Sequence, residues 1–399
     1  MQAARTAGLA QGLVIVVIGL LPMMAIVTLM PIVPALVKNF QHVPGIQTLA
    51  PLVLSAPGLC VALFSPFAGA LTDRIGRRRL LLIFTTLYGL GGVLPFFLDS
   101  FEALFAGRLL LGVGEAFILT VGNALLGDYF QKEERAKWLM WQSLVGPGAG
   151  VLLITSSGHL SMIQWNLPFL IYGLALVMAA FAFFTAYEPP RAQAPGVNEP
   201  GTATIMAFPS GLMVRIAATT FVLSAIYFVY TLQFSLALDQ MGIKRGGDLG
   251  LYTGLVSLGV PVGALVYKLL SKRSVATQFS ALFALLGLGL TGIGLDQGLG
   301  VALVAAFVQQ LGAGMAIPVL VGWSLRELPE RFRGRGMGWW CSAFFLGQFV
   351  SPLYVTLVRG WVGGNLLHVF LVSGVICLVI AVGQQWVGRG GPARTALAR

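Results

Sequence analysis

Long apolar stretches recur along almost the whole chain, and they constrain its fold more than any other feature. Of the 399 residues, 57% are hydrophobic and 10% are charged, whereas a soluble domain carries roughly 25% charged residues. A helix needs about 20 apolar residues to cross the ~30 Å hydrocarbon layer of a bilayer. Stretches of that kind lie near residues 9–37, 46–71, 79–98, 101–128, 135–158, 165–187, 210–238, 248–270, 275–295, 299–325, 334–359 and 364–388. The sequence therefore predicts an all-α integral membrane protein with twelve transmembrane helices.

A segment rich in proline and glycine divides the spans into two sets of six. Residues 188–209 include Pro189, Pro190 and Pro195 and show no hydrophobic periodicity, which is typical of a linker. The two sets also share local matches in the same order, each separated by nearly half the chain: Gly69-Ala70-Leu71 with Gly263-Ala264-Leu265, Gly112 to Ala116 with Gly312 to Ala316, and Arg135 with Arg333. We expect two pseudo-symmetric bundles, residues 1–187 and 210–399, joined by a cytoplasmic linker at 188–209.

The net charge of +11 follows a topological pattern. Cytoplasmic loops of membrane proteins hold an excess of Lys and Arg. If the N-terminus is cytoplasmic, all 25 Lys and Arg fall on that side except Arg108, inside a span, and the outer residues Lys38, Lys244, Arg245 and Arg359. Because the basic residues do not interleave with aromatic ones on a polar face, we expect no nucleic-acid partner. The chain is predicted to be a multi-pass, monomeric protein of the plasma (inner) membrane with both termini cytoplasmic.

No pattern in the sequence predicts an enzyme, a metal site or a cofactor. Cys60, Cys341 and Cys377 lie in apolar runs without paired spacing, and the three histidines are far apart. Neither a disulfide framework nor a metal cluster is indicated. Because no nucleophile–base pair or phosphate-binding loop is present either, we expect no catalytic residues, no metal and no cofactor.

The strongest local motif joins spans 2 and 3 and reads Gly69-Ala70-Leu71-Thr72-Asp73-Arg74-Ile75-Gly76-Arg77-Arg78-Arg79. It closely resembles the loop signature of the major facilitator superfamily. Together with the span count and the repeat, this resemblance covers essentially the whole chain. It implies two six-helix bundles that alternate access to a central site, and a loop that latches the cytoplasmic side when the cavity faces outward.

The residues of this motif suit a gating latch. Gly69 permits close helix contact, and Asp73 can accept hydrogen bonds from a helix N-terminus, with the start of span 11 as its expected partner. Asp128 is expected to pair with Arg77. The alternative for the arginines is that they only obey the positive-inside rule. The predicted latch comprises Gly69, Asp73, Arg74, Gly76, Arg77 and Asp128.

Span 4 carries two ionisable residues that are expensive to bury. Arg108 and Glu115 are separated by seven positions, so they share a helix face about 10 Å apart along the axis. Residues 108–116 resemble the arginine motif associated with proton-coupled members of the superfamily. Intramembrane ionisable groups usually face a cavity or each other. We expect Glu115 and Arg108 to couple transport to protons; a fixed structural ion pair with neighbouring spans is the alternative.

Glycines in spans 4 and 5 form a predicted helix-packing motif, because glycine lets a neighbouring helix approach and proline bends its own helix. The segment Gly146-Pro147-Gly148-Ala149-Gly150 resembles the glycine–proline motif of the antiporter branch, although Trp141, Gln142 and Ser143 occupy part of the expected upstream glycine pattern. The resemblance implies antiport. The predicted packing residues are Gly112, Gly114, Gly146, Pro147 and Gly150.

Polar and aromatic residues within spans define a predicted substrate cavity. A stripe at helical spacing on span 7 is either cavity wall or core, and glutamines inside spans need hydrogen-bond partners that a cavity or a neighbouring helix could supply. The predicted residues are Gln142, Tyr227, Tyr230, Thr231, Phe234, Gln309, Gln310 and Gln348. We expect proton-coupled efflux of a small amphipathic solute or drug by alternating access; uptake of a metabolite, lipid flipping and a non-transporting receptor are the alternatives.

Overall fold

The computed structural model describes residues 7–189 and 209–390, apart from the side chains at positions 70, 73, 132, 136, 143, 331 and 387–390. Within these ranges the chain forms twelve helices long and apolar enough to cross a membrane, and it has no β-strand. Spans 1 to 12 are Leu9–Asn39, Ile46–Ile75, Arg77–Phe96, Phe101–Tyr129, Lys132–Ile163, Leu167–Thr185, Ser210–Gln240, Gly246–Leu270, Val275–Gly294, Leu299–Glu327, Arg333–Trp361 and Leu366–Gly390. The predicted fold class is therefore confirmed.

Several spans extend beyond their predicted limits. Span 5 was expected at residues 135–158 but runs from Lys132 to Ile163, and span 8 begins at Gly246 rather than at residue 248. Helix ends that leave the hydrocarbon layer carry polar residues, so hydropathy alone underestimates helix length. Most of the predicted linker, residues 190–208, lies outside the described residues.

Span 1 is interrupted twice. It consists of the helices Leu9–Ile18, Leu21–Val27 and Val33–Asn39 with a 3₁₀ turn at Met30–Ile32. Pro22, Pro31 and Pro34 lie at or next to the breaks, and proline has no backbone N–H to continue a helix. At the second break the N–H of Leu29 bonds to the carbonyl of Ile26 at 3.1 Å, one residue short of the α-helical acceptor. The carbonyl of Ala25 is thereby left without its helical donor.

Glycines bring helices close together within each half. In the first half, a side chain at Gly112 would lie 2.5 Å from the Cα of Pro57 in span 2. In the second half, a side chain at Gly314 would lie 2.0 Å from the carbonyl oxygen of Val260 in span 8. Spans 4 and 10, and spans 2 and 8, occupy corresponding places in the repeat, so both halves use glycine on the same pair of helices.

The hydroxyl of Ser342 in span 11 donates to the carbonyl of Ala62 in span 2 at 2.9 Å, and the two halves also contact each other at the predicted outer end. Span 5 meets span 8 there, because a side chain at Gly158 would lie 2.4 Å from the carbonyl oxygen of Gly246 and 2.8 Å from the Cα of Gly250. Span 2 meets span 11 through a 2.8 Å hydrogen bond between the hydroxyls of Thr48 and Thr356. The predicted cytoplasmic end is different. There a side chain added at any of four glycines of spans 5 and 11 would meet no atom within 4 Å: Gly146, Gly148, Gly334 and Gly338.

Candidate functional site

Arg108 is fully buried and joins four spans. Its Nε donates to the carbonyl of Val53 at 3.2 Å, one terminal nitrogen donates to the hydroxyl of Tyr172 at 3.1 Å, and the other donates to the carbonyls of Ala25 and Leu54. The guanidinium also lies 5.5 Å from the centre of the Tyr172 ring. The acceptor on span 1 is the carbonyl that the helix break leaves free. Arg108 therefore stabilises the packing of spans 1, 2, 4 and 6.

Glu115 is also buried, with only 2% of its surface exposed, but its carboxylate is not held in the same way. Among the described residues, Oε2 of Glu115 is buried and has no hydrogen-bond partner. No ion pair joins it to Arg108 within the described part of the chain, because the guanidinium is directed at backbone carbonyls instead. The residues that follow Glu115, Ala116 and Phe117, form a hydrophobic cluster with Val61 and Ala68 of span 2, and Cys341 and Phe345 of span 11 pack against it. This part of span 4 thus contacts the other half.

The four predicted cavity glutamines do not converge on one site. Gln142 donates to the carbonyl of Ile15 at 3.1 Å and lines a cavity of about 180 Å³ inside the first half. Gln309 packs against Gly289 of span 9, and Gln310 packs against Gly259 of span 8. Gln348 alone reaches the boundary between the halves, where its amide lies about 3.0 Å from the side-chain position of Gly58. Its Oε1 is buried and has no partner among the described residues.

Two residues of the predicted stripe on span 7 are buried in the core, and two are half-buried. Tyr230 and Phe234 are buried, stack on each other with ring centroids 4.6 Å apart, and belong to the hydrophobic core. Tyr227 and Thr231 are half-buried. The ring of Tyr227 lies 6.3 Å from that of Phe344 on span 11. Only the half-buried pair keeps surface that a solute could contact.

The predicted latch lies at the predicted cytoplasmic end of spans 2 to 4. Nε of Arg77 donates to the carboxylate of Asp128 at 3.1 Å, so the ion pair expected from the sequence is present. Gly76 has a positive φ of 106° and ends span 2, and Arg74 lies in the last turn of that helix. Gly69 faces open space in this conformation. The side chain of Asp73 lies outside the described residues, so its role stays a prediction.

Sequence reasoning missed Glu188, which binds the start of span 3. Its two carboxylate oxygens accept the backbone N–H groups of Arg77 at 2.7 Å and Arg78 at 2.8 Å. The side chain of Arg78 in turn donates to the carbonyls of Ala186 and Phe183 at the end of span 6. A helix N-terminus attracts a carboxylate because its first N–H groups are unpaired. The available signal was an acidic residue that directly follows span 6 on the basic side.

The predicted packing residues differ in their surroundings. Gly112 and Gly114 contact spans 2 and 3, where a side chain at Gly114 would lie 2.8 Å from the carbonyl oxygen of Phe84. In span 5, Pro147 lies inside the helix and Gly146 faces open space, while Gly150 lies near the sulfur of Met23. Within the part of the chain that the structure describes, no group of His, Cys, Asp and Glu side chains could hold a metal ion.

Comparison with known proteins decides the family. The pattern of the Major Facilitator Superfamily matches residues 15–352. The chain belongs to this superfamily. As a superfamily member it is a membrane transporter rather than an enzyme. It is 25% identical over 407 positions to "Putative metabolite transport protein YyaJ" of Bacillus subtilis, and this alignment covers 90% of the chain and 85% of that protein. It is 27% identical over 316 positions to "Multidrug resistance protein MdtL" of a Shewanella species, covering 76% and 71%.

Solved structures agree on the fold of this superfamily member. The crystal structure of an auto-inhibited peptide transporter of the POT family superposes with a TM-score of 0.75 and covers 98% of this chain and 99% of that one, at 14% identity. Likeness at this level of identity concerns the fold alone. Substrate and coupling must therefore be argued from the residues of this chain.

Proposed function

We propose that the protein exports a small amphipathic solute or drug in exchange for protons by alternating access. It would act as a monomer in the plasma (inner) membrane, with both termini and the 188–209 linker cytoplasmic and the two six-helix bundles rocking around a central site. The observation that carries the proposal is Glu115, a carboxylate buried in the middle of span 4 with an unpaired oxygen. Intramembrane carboxylates of this kind serve as proton relays in transporters.

The contrast between Glu115 and Arg108 supports the assignment of the proton to the carboxylate. Arg108 is held by acceptors on three neighbouring spans. An arginine does not deprotonate in proteins, so Arg108 keeps its charge and its donors. Glu115 has no hydrogen bond to lose among the described residues, so its protonation changes the charge between the halves without breaking a helix contact. The coupling residues are therefore assigned unequal roles.

An apolar cleft supports an amphipathic solute. It has a volume of about 540 Å³ and lies between span 2 of the first half and spans 7 and 11 of the second, with Leu63, Phe221 and Trp339 in its wall. Drug-sized ligands bind in pockets of about 300–1,000 Å³ that are mostly apolar with a few polar groups. Ser210 and Ser342 are the polar side chains in its wall, whereas Tyr227, Thr231 and Gln348 lie outside it.

The names of relatives support two kinds of solute. Multidrug resistance proteins from several bacteria match this chain, which favours efflux of a drug. "Putative metabolite transport protein YyaJ" of Bacillus subtilis matches 90% of this chain and names no direction, and uptake of a metabolite is the second candidate. Both candidates use the same fold and the same buried carboxylate, so they differ in the direction of net flux.

The test uses protein reconstituted into vesicles and a solute found by a thermal-shift screen of diverse compounds. We expect Glu115→Gln to retain solute exchange between the two sides but to lose accumulation driven by a pH gradient, because the neutral amide has no proton to exchange. The matched control is Glu102→Gln, which changes an exposed acid on the same helix and should leave gradient-driven transport intact.

Two outcomes would contradict the proposal. A Glu115→Gln protein that still concentrates its solute with unaltered proton stoichiometry would remove Glu115 from coupling. If the solute accumulates in vesicles in which the protein has the same orientation as in the cell, transport is uptake. That result would replace efflux by the second candidate and would leave the role of Glu115 in coupling unchanged.

A further inference from the structure

A polar cavity at the predicted outer end has no place in the proposed coupling mechanism. It has a volume of about 690 Å³ and lies between the loop that follows span 1 and the outer ends of spans 7 and 11. We name it the outer vestibule, and its polar lining includes Gln41, Gln47, Thr48, Gln233, Thr356 and Arg359. The hydrogen bond between Thr48 and Thr356 ties the two halves together at its edge. The vestibule therefore lies at the predicted outer end, beside a contact between the two halves.

Gln233 is a buried residue whose amide has no partner among the described residues. Only 3% of its surface is exposed, and its side chain forms no hydrogen bond with any described residue. The polar groups of a buried side chain need hydrogen-bond partners, which water or a ligand can supply. Because Gln233 lines the vestibule, a group inside that cavity can supply the missing donor and acceptor.

Arg359 presents a positioned guanidinium to the same cavity. Its Nε donates to the carbonyl of Gly364 at 2.5 Å, and the N–H of Gly364 donates back to the carbonyl of Arg359 at 2.9 Å. Gly363 and Gly364 both have positive φ, 71° and 82°, which makes this tight return of the chain possible. The two terminal nitrogens of Arg359 have no acceptor among the described residues.

Arg359 gives the outer vestibule a positive charge that no acidic residue of its lining neutralises. No Asp or Glu belongs to its lining. The nearby pair of Lys244 and Asp239, 3.1 Å apart, includes residues that line a different cavity at this end of the protein. A guanidinium without a carboxylate partner, beside unpaired amides, is suited to a planar anion that also accepts and donates hydrogen bonds.

We propose that the outer vestibule is a binding site for a small organic carboxylate. Arg359 would bind the carboxylate through its terminal nitrogens, and Gln233 would bind a second polar group of the same molecule. The volume favours an organic anion over a bare inorganic one, because cavities of about 300–1,000 Å³ fit small organic ligands. The site depends on neither the direction of transport nor the role of Glu115.

A cation at the end of a helix has another explanation, which the test must separate. Arg359 lies in the last turn of span 11, where the helix dipole favours positive charge. That explanation predicts no saturable ligand. Calorimetric titration of the full-length protein in detergent with succinate, succinamide and inorganic phosphate distinguishes the two. The variants are Arg359→Gln, Arg359→Lys and Gln233→Leu, and Lys244→Gln is the control outside the vestibule.

We expect saturable binding of succinate, weaker binding of phosphate and none of succinamide. Arg359→Gln should weaken succinate binding about tenfold or more, since the neutral amide removes the charge-assisted hydrogen bonds to the carboxylate. Gln233→Leu should weaken it several-fold, and Arg359→Lys should fall between wild type and Arg359→Gln. Lys244→Gln should stay within about twofold, which corresponds to less than about 0.5 kcal/mol.

The proposal is overturned by any of three results. One is the absence of saturable succinate binding up to about 10 mM, an affinity weaker than about −3 kcal/mol. Another is an equal loss in Lys244→Gln, which would indicate a diffuse field. The third is binding of phosphate as tight as that of succinate, which would indicate a simple anion site. Unchanged melting temperatures and elution volumes would show that the variants are folded. If Arg359→Gln does not fold, Arg359→Lys still tests the role of the guanidinium.

Discussion

The contact of Gly158 with span 8 predicts a shift in the alternating-access equilibrium when a single methyl group is added. In Gly158→Ala, the new Cβ would lie 2.4 Å from the carbonyl oxygen of Gly246 and 2.8 Å from the Cα of Gly250. Both contacts are with backbone, so the helices must separate. Overpacking of this kind costs about 1–3 kcal/mol. Because the cost falls only on the conformation closed at the outer end, the ratio of outward-open to outward-closed protein should rise roughly 5- to 150-fold.

Cysteine labelling from the outside measures this ratio. Thr253, on span 8 below the Gly250 contact, is fully buried and its hydroxyl has no partner among the described residues, so a cysteine should be tolerated there. In a background without the three native cysteines, Thr253→Cys should react faster with a membrane-impermeant maleimide when Gly158→Ala is also present. The control is Gly300→Ala, whose added methyl group would meet open space.

Labelling that stays unchanged or falls in Gly158→Ala, with the protein folded, would refute the reasoning. It would mean that spans 5 and 8 yield at this contact without cost, or that their contact persists in both conformations. A rise of equal size in Gly300→Ala would also refute it, because general loosening of the bundle would then account for the exposure.

Two further substitutions test the buried and the cytoplasmic contacts. Arg108→Lys should lower the free energy of unfolding by about 3 kcal/mol or more, because one ammonium cannot reach acceptors on three spans and charge-assisted hydrogen bonds contribute roughly 1.5–3 kcal/mol each. Thermal melting in detergent measures the effect, and Arg79→Lys at an exposed site is the control. Glu188→Ala should lower it by about 0.5–2 kcal/mol through loss of the cap on span 3, with the exposed Asp99→Ala as control, and equal melting temperatures would remove that role.

The sequence was sufficient for the membrane fold and for the place of the buried charges. Hydropathy and the repeat gave twelve spans, and the position of Glu115 within span 4 follows from its distance to both helix ends. The acceptors of Arg108 could not be predicted. They depend on the break in span 1, where Leu29 bonds to Ile26 and releases the carbonyl of Ala25. Such a contact joins residues far apart in sequence, and no periodic pattern encodes it.

The contacts at the two ends were harder to predict for a related reason. Gly158 and Gly246 were placed at or beyond the ends of their spans, because hydropathy falls where helices leave the hydrocarbon layer. The structure instead places them in a backbone-to-backbone contact between the halves. The local motif predicted that Asp73 binds the N-terminus of span 11, which stays a prediction, and it gave no indication of a carboxylate at the N-terminus of span 3. At span 3 the bound carboxylate belongs to Glu188, more than a hundred residues further along the chain.

The arrangement of the buried charges constrains any coupling mechanism. A mobile proton needs a group whose two charge states cost little in structure, and a gate needs contacts that one conformation makes and the other lacks. Arg108 meets neither condition, because its hydrogen bonds tie together four spans of one half. Glu115 meets the first, since its buried oxygen has no partner among the described residues. We expect the contact between Gly158 and Gly250 to meet the second. Movement between the halves can therefore change the surroundings of Glu115 while Arg108 keeps the first half rigid.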